Sequence, residues 1–525
     1  DNDTTAPQTL TITVVDDIPT ITSVEPLSVD EDDLPAGSDG NQPLEVSGDF
    51  TTTQGADGVV LYRIDPTTNP VDGLSSGGVA ITLDPPTVNG DNQYSYVAKV
   101  GNVEVFKLTL NADGSYSFEL KAPIDHADNE VSKLLNFAIQ AQDQDGDISS
   151  TVLPVTLVDD APTLSGFTGQ TRVDEDDLNV SGAQGSDADK EPTLISGNFV
   201  IEEGADGIKS YQIEATSPVL ADLSSGGEAL EWSNGSPVQN GTQFTYTAQT
   251  LLGEAVFTMV FDTADNSYQF NLLQPLDHAL ADGENEIELG FNISATDFDN
   301  DTTAPQTLTI TVVDDIPTIT SVEPLSVDED DLPAGSDGNQ PLEVSGDFTT
   351  TQGADGVVLY RIDPTTNPVD GLSSGGVAIT LDSPTVNGDN QYSYVAKAGN
   401  VEVFKLTLNA DGSYSFELKA PIDHADNEVS KLLNFAIQAQ DQDGDISSTV
   451  LPVTLVDDAP TLSGFTGQTR VDEDDLNVSG AQGSDADKEP TLISGNFVIE
   501  EGADGIKSYQ IEATSPVLAD LSSGG

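Results

Sequence analysis

Cysteine is absent from all 525 residues, so the chain has neither disulfides nor thiolate metal sites. Basic residues are scarce: 16 Lys plus Arg stand against 91 Asp plus Glu, a formal charge of −75. A surface of that sign repels phosphate backbones and anionic membranes, which excludes nucleic acid and lipid surfaces as default partners. No run approaches the eighteen or so apolar residues of a spanning helix, so direct membrane insertion is not expected. Neither a signal peptide nor an initiating methionine is present (the one Met is Met259), and the chain reads as an internal piece of something longer. Zinc and copper prefer Cys or His, and histidine is confined to His126, His278 and His424.

What is present is repetition. The length allows roughly three to four domains, and 36% hydrophobic content in alternating runs argues for folded units over acidic disorder. One stretch organises the whole: DQDGDISSTVLPVTLVDDAP at Asp143–Pro162, an acidic loop, a strand and an acidic linker ending in proline. It returns at Asp297–Pro317 and Asp441–Pro460, and a truncated copy, Asp1–Pro19, opens the chain. Residues 1–227 recur at 299–525 with two substitutions, Pro85 to Ser383 and Val100 to Ala398. Inside that long period lies a diverged one. VDEDDL at Val29 returns at Val173, GADG at Gly55 returns at Gly204, LSSGG at Leu74 returns at Leu223, and P-[IL]-D-H at Pro123 returns at Pro275. Repeats of this length are beads with their own cores, in an A-B-A-B order.

The local pattern is β almost throughout. In the opening copy Leu10, Ile12 and Val14 point one way and Thr9, Thr11 and Thr13 the other, the period-two pattern of a half-buried strand. Ile287, Leu289, Phe291, Ile293 and Ala295 alternate in the same way with polar or small neighbours. Short strands, turn-type Gly, Asp and Asn, and no long 3.6-residue period predict tandem immunoglobulin-like or cadherin-like antiparallel β-sandwiches in an elongated, all-β array. Cutting at VDD–P gives the last strand of a preceding repeat (1–15), repeat A (16–158), repeat B (159–313), a copy of A (314–456) and a truncated copy of B (457–525). Boundaries near LSSGG and D-x-D are the alternative register.

A strand of six to eight residues rises only about 20–25 Å, so the loop before it and the linker after it belong to opposite poles of one domain. Each junction then gathers two linker aspartates and the next domain's D-x-D-x-D loop. The candidate ligands are Asp16 and Asp17 with Asp143, Asp145 and Asp147; Asp159 and Asp160 with Asp297, Asp299 and Asp301; Asp314 and Asp315 with Asp441, Asp443 and Asp445; and Asp457 and Asp458. Asp1 and Asp3 are remnants of the same loop. If the first strand crosses the whole domain, DEDD joins them: Asp30, Glu31, Asp32 and Asp33; Asp174, Glu175, Asp176 and Asp177; Asp328, Glu329, Asp330 and Asp331. Calcium takes six to eight hard oxygens at flexible angles, which alternate aspartates in a Gly- or Asn-containing turn supply, whereas magnesium wants a stricter octahedron. Without a cation such carboxylates repel one another and their pKa values rise.

Other motifs take plainer readings. Asp125–His126, Asp277–His278 and Asp423–His424 have no nucleophile beside them and read as loop-structuring Asp–His contacts. LSSGG lacks the lysine and helix of a phosphate loop and reads as a tight turn. Trp232, Phe244 and Tyr246 read as packing residues before a sugar platform. No catalytic constellation is present, and an enzyme is not expected.

The ordered succession VDEDDL, GADG, LSSGG, PLDH, D-x-D-x-D and VVDD–P resembles the type I secretion target repeats of giant RTX-type bacterial adhesins, over every unit. That resemblance implies calcium-dependent β-sandwiches, export from a Gram-negative cell, a surface location, and service as an extender between an anchor and distal binding domains. The chain departs from a whole adhesin in lacking nonapeptide calcium rolls, a retention module and a recognisable ligand-binding domain. The leading expectation is a monomeric, calcium-stiffened spacer whose partners are its own neighbouring repeats. The alternative is an adhesive module binding a glycan or a like copy.

Overall fold

The computed structural model describes residues 4–127, 130–178, 192–217, 220–233, 237–279, 283–338, 340–473, 476 and 490–512. Unit A contains thirteen strands: β1 Thr20–Val24, β2 Leu27–Asp30, β3 Glu45–Thr53, β4 Val59–Ile64, β5 Ser75–Ser76, β6 Val79–Ala80, β7 Thr82–Leu83, β8 Thr87–Val88, β9 Tyr94–Val100, β10 Val103–Leu110, β11 Ser115–Leu120, β12 Ser132–Asp143 and β13 Ile148–Val158. One sheet runs β1-β3-β11-β10-β9-β7, with β8 also on β9; the other runs β2-β13-β12-β4. Pairing is antiparallel except for β2, which lies parallel to β13 with Asp30 opposite Val158. Unit B repeats this plan between Thr163 and Val313, and the second A unit between Thr318 and Val456. After Asp457, Thr461–Gly467 pairs with Gly495–Glu500.

Period-two sequence builds these sheets, because successive side chains of a strand face opposite sides. Along β12, Leu135, Phe137, Ile139 and Ala141 are buried while their neighbours are not. Where the pattern breaks, geometry compensates: Val105 and Phe106 are consecutive and both buried because the register slips between Glu104 and Phe106. The two inner faces meet on Phe106, Phe118 and Phe137, whose ring centroids lie 5.1, 5.8 and 6.1 Å apart. Burying each such ring contributes about 1.5–3 kcal/mol, enough in sum to hold a sandwich without disulfides.

Context decides the opening strand. Residues 8–15 and 306–313 share the sequence QTLTITVV. In unit B it forms a strand between Glu286–Asp297 and Arg172–Asp174, with Leu308, Ile310 and Val312 buried. In the opening copy Leu10, Ile12 and Val14 are 84%, 76% and 88% exposed, and no strand forms over residues 4–15. β-propensity needs a sheet to act on, and the described residues offer this segment none.

The LSSGG turns at Leu74, Leu223 and Leu372 are hairpins. Ser75–Ser76 pairs with Val79–Ala80 across Gly77 and Gly78, whose φ values of 58° and 75° favour glycine. Trp232 packs half-buried against Tyr246 and Phe257, ring centroids 5.3 and 5.8 Å away.

Candidate metal centres at the domain junctions

The parallel pairing of β2 with β13 carries the chain from the entry pole of unit A to its exit pole. It therefore delivers Asp30–Asp33 beside Asp159. There DEDD does not act as one cluster. Asp30 accepts from the backbone N–H of Asp32 at 3.4 Å and caps a single turn, Glu31–Asp33. Asp32 and Asp33 gather with Asp39 inside their own loop. Glu31 turns toward His126: it is fully buried, its Oε1 accepts from Ile124 N at 2.9 Å, and its Oε2 lies 3.7 Å from His126 Nε2. Glu175 and Glu329 take the same place in later units, accepting from Leu276 N and Ile422 N. Asp174 and Asp328 repeat the cap, accepting from Asp176 N and Asp330 N. Asp176 is buried; Asp331 takes the Gln340 N–H, and Asp177's side chain lies outside the described residues.

The histidine therefore meets the glutamate of DEDD and not its neighbouring aspartate. Asp125 instead accepts from Gly78 N at 2.9 Å, tying the P-I-D-H loop to the LSSGG hairpin, and Asp277 and Asp423 do the same with Gly227 and Gly376.

The two linker aspartates divide the work. Asp160 Oδ2 accepts from Ser38 N and from Ala205 N, both at 3.0 Å, and its Oδ1 accepts from Ser38 Oγ at 2.8 Å. It staples unit A to unit B. Asp458 does the same between Ser336 and Ala503. The first glycine of GADG seats this staple: at Gly204, φ +72°, a Cβ would meet Asp160 O at 2.2 Å. Asp159 keeps a buried Oδ1 with no hydrogen-bond partner.

The D-x-D-x-D loop folds on its first residue. Asp297 Oδ1 accepts from Asp301 N at 2.8 Å, and Asn300 supplies the left-handed turn at φ 82°, as Gly146 and Gly444 do elsewhere. Asp299 reaches back across the junction, its Oδ2 accepting from His126 N at 3.3 Å. Asp443 does the same with His278 N at 3.1 Å. Asp206, the aspartate of GADG, completes the ring, with both oxygens buried and without a hydrogen-bond partner.

At the A–B junction, then, Glu31 Oε2, Asp125 Oδ1, Asp159 Oδ1, both Asp206 oxygens, Asp297 Oδ2 and Asp299 Oδ1 are buried without hydrogen-bond partners. They come from two consecutive units. Burial pushes the Asp206 carboxyl up to about 8, helped by Glu31, Asp299, Asp297 and Asp125 around it. Asp159 rises to about 8 and Asp297 to about 7, burial again leading and the neighbouring loop aspartates adding to it. The next junction repeats the arrangement. Burial first, then adjacent carboxylates, lifts Asp314 and Asp441 to about 8 and Asp355 to about 9. Buried carboxylates left without donors are costly, and a hard divalent cation with many oxygen ligands fits this donor set.

Asp297, Asp299, Asp301, Asp314, Asp315, Asp441 and Asp445 are all buried. At the opening of unit A, where residues 4–15 are all exposed, Asp16 and Asp17 are exposed and so is Asp145, while Asp143 is buried and Asp147 half-buried. Asp16, Asp57 and Asp145 still converge there. Asp457 groups with Glu329 and His424. Asp1 and Asp3 lie outside the described residues. Asp57, Asp206, Asp355 and Asp504 were not among the residues singled out from sequence, although GADG recurs in step with every other motif.

Residues 26–156 and 324–454 each match the family described as Domain of unknown function (DUF5801). No curated protein matches the chain. Among solved structures it is similar to protocadherin gammaB7 EC3-6, at 11% identity, 85% of this chain, 76% of that one and a TM-score of 0.28. It is similar to protocadherin gamma B2 domains 1-5 at 13% identity, covering 84% and 60% with a TM-score of 0.26. Drosophila N-cadherin EC1-4 gives 12% identity, 84% and 76% coverage and a TM-score of 0.19. Superpositions that loose do not bear on function, and the sandwich assignment rests on strand order. No helix among the described residues is long and apolar enough to cross a membrane.

Proposed function

We propose that this chain is a calcium-stiffened extender of a secreted bacterial surface adhesin, its tandem sandwiches holding a distal binding region away from the cell. The observation that carries the reading is the convergence of buried carboxylate oxygens without hydrogen-bond partners, contributed by both units of a junction. A cation bound there neutralises the ring and fixes the angle between units, so length and stiffness become the function. The near-identity of the two A units supports it, because in a spacer each copy contributes length. The ordered motifs that resemble type I secretion target repeats support the bacterial surface assignment.

Small-angle scattering and thermal melts with calcium and with EGTA test the proposal. Calcium at about a hundred times its Kd adds about 2.7 kcal/mol of stability per site, so the expected result is a higher Tm and a longer, stiffer particle in calcium. Unchanged dimensions and Tm overturn it.

A further inference from the structure

The chain's three histidines each sit at a junction beside a buried glutamate, and at the B-to-A junction the linker aspartate of the group is buried as well. There Glu175, His278 and Asp314 each offer a ligand atom, all within 4.8 Å of one another. The residues are 0%, 6% and 1% exposed. Asn285 Nδ2 donates to Ala279 O at 3.0 Å, which turns Asn285 Oδ1 toward His278 Nδ1 at 2.8 Å. An amide oxygen only accepts, so Nδ1 carries the proton and donates. That leaves Nε2 facing Glu175 Oε1, 3.4 Å away. His278 Nε2, Glu175 Oε2 and Asp314 Oδ2 are all buried without a hydrogen-bond partner. A ring nitrogen and two carboxylates enclosed together call for a positive charge among them, a proton on Nε2 or a metal ion.

We propose that Glu175, His278 and Asp314 form a site for a borderline transition ion of the Zn2+ type, separate in chemistry from the all-oxygen calcium set. Bonds of about 2.0–2.1 Å in a tetrahedron place neighbouring ligand atoms about 3.3 Å apart, close to the 3.4 Å between Nε2 and Oε1. Imidazole selects such ions over calcium, which takes oxygen. The Nδ1 hydrogen bond to Asn285 is the outer-shell support that metal-bound histidines use. Glu31–His126–Asp159 and Glu329–His424–Asp457 repeat the constellation, with Nε2 3.7 and 3.6 Å from the glutamate. Glutamate and histidine belong to one unit and the aspartate to the linker, so the ion ties the linker to the unit it leaves. Glu175 and Asp314 lie among the calcium-facing carboxylates, and the two ions compete there.

The test is a Co2+ titration of the whole chain, stripped of metal, at neutral pH, followed by visible absorption and reversed with Zn2+. The expected result is intense tetrahedral bands, of which His278→Ala removes one site in three. Asn285→Ala should weaken that site by about 10–100-fold, and it decides the matter if His278→Ala fails to fold by circular dichroism. A weak octahedral spectrum, or bands unchanged in both variants, overturns the proposal. Calcium titrated separately keeps the two readings distinct: a chain that binds Co2+ through His278 and ignores calcium defeats the spacer mechanism and leaves this site standing.

Discussion

The backbone N–H of His126 donates to Oδ2 of Asp299, a residue 173 positions further along the chain and in the next unit. That single contact links the exit pole of one sandwich to the entry loop of its neighbour, and Asp443 repeats it with His278. The other oxygen of Asp299 faces the carboxylate ring.

Asp299→Ala should therefore loosen the A–B junction while leaving both cores intact. Calcium titration should show one weakened or lost site, and scattering should show a more flexible particle. The melting of each unit in EGTA should match wild type. Global unfolding of the variant would contradict this.

Without calcium the junctions should prefer acid. Asp206, Asp159, Asp314 and Asp441 rise from 3.8 to about 8 in the folded chain. Between those values the folded state binds more protons than the unfolded one, so stability falls as pH increases. Their stabilising contribution is complete below about pH 4 and lost through pH 8. Melts in EGTA should give a higher Tm at pH 5 than at pH 8, and saturating calcium should abolish or reverse the trend.

Gly204→Ala should cost more than Gly207→Ala. Both have positive φ, +72° and +68°, but only the first would set a Cβ 2.2 Å from Asp160 O. Expected losses are about 3 kcal/mol for Gly204 and roughly 1 kcal/mol for Gly207, read from denaturant unfolding. Equal losses would mean that the linker does not seat on GADG.

Phe106→Ala should destabilise unit A alone, by about 3–5 kcal/mol, because a fully buried ring is replaced by a cavity. Phe404 occupies the same place in the second A unit and reports as an internal control. Fragment-resolved hydrogen exchange should show early opening confined to unit A; simultaneous opening of both would mean that the units fold as one block.

The sandwich was legible because alternation along Ser132–Asp143 or Glu286–Asp297 is a local property, written out in consecutive residues. The linker aspartates and the D-x-D-x-D loops were legible for a related reason, since strand direction assigns each to a pole. Asp206 and His126 were harder to place. Their position depends on how two domains stack, and no period within one strand encodes that. DEDD reads as four equivalent acids, yet the turn at Glu31–Asp33 gives them different places: Asp30 caps it and Glu31 meets His126. The silent QTLTITVV of residues 8–15 makes the complementary point: the pattern was right, but a strand needs its neighbours.

The parallel pairing of β2 with β13 has a mechanical consequence. Both strands run from the entry pole to the exit pole; tension passes through β1 into the start of β2 and leaves at the end of β13. Once β1 has parted from β3, pulling on the ends of the chain drags these two strands past each other along their length. Their evenly spaced, slanted hydrogen bonds are loaded together in shear and do not peel one after another, and every complete unit in the array meets a pull along the chain in the same way.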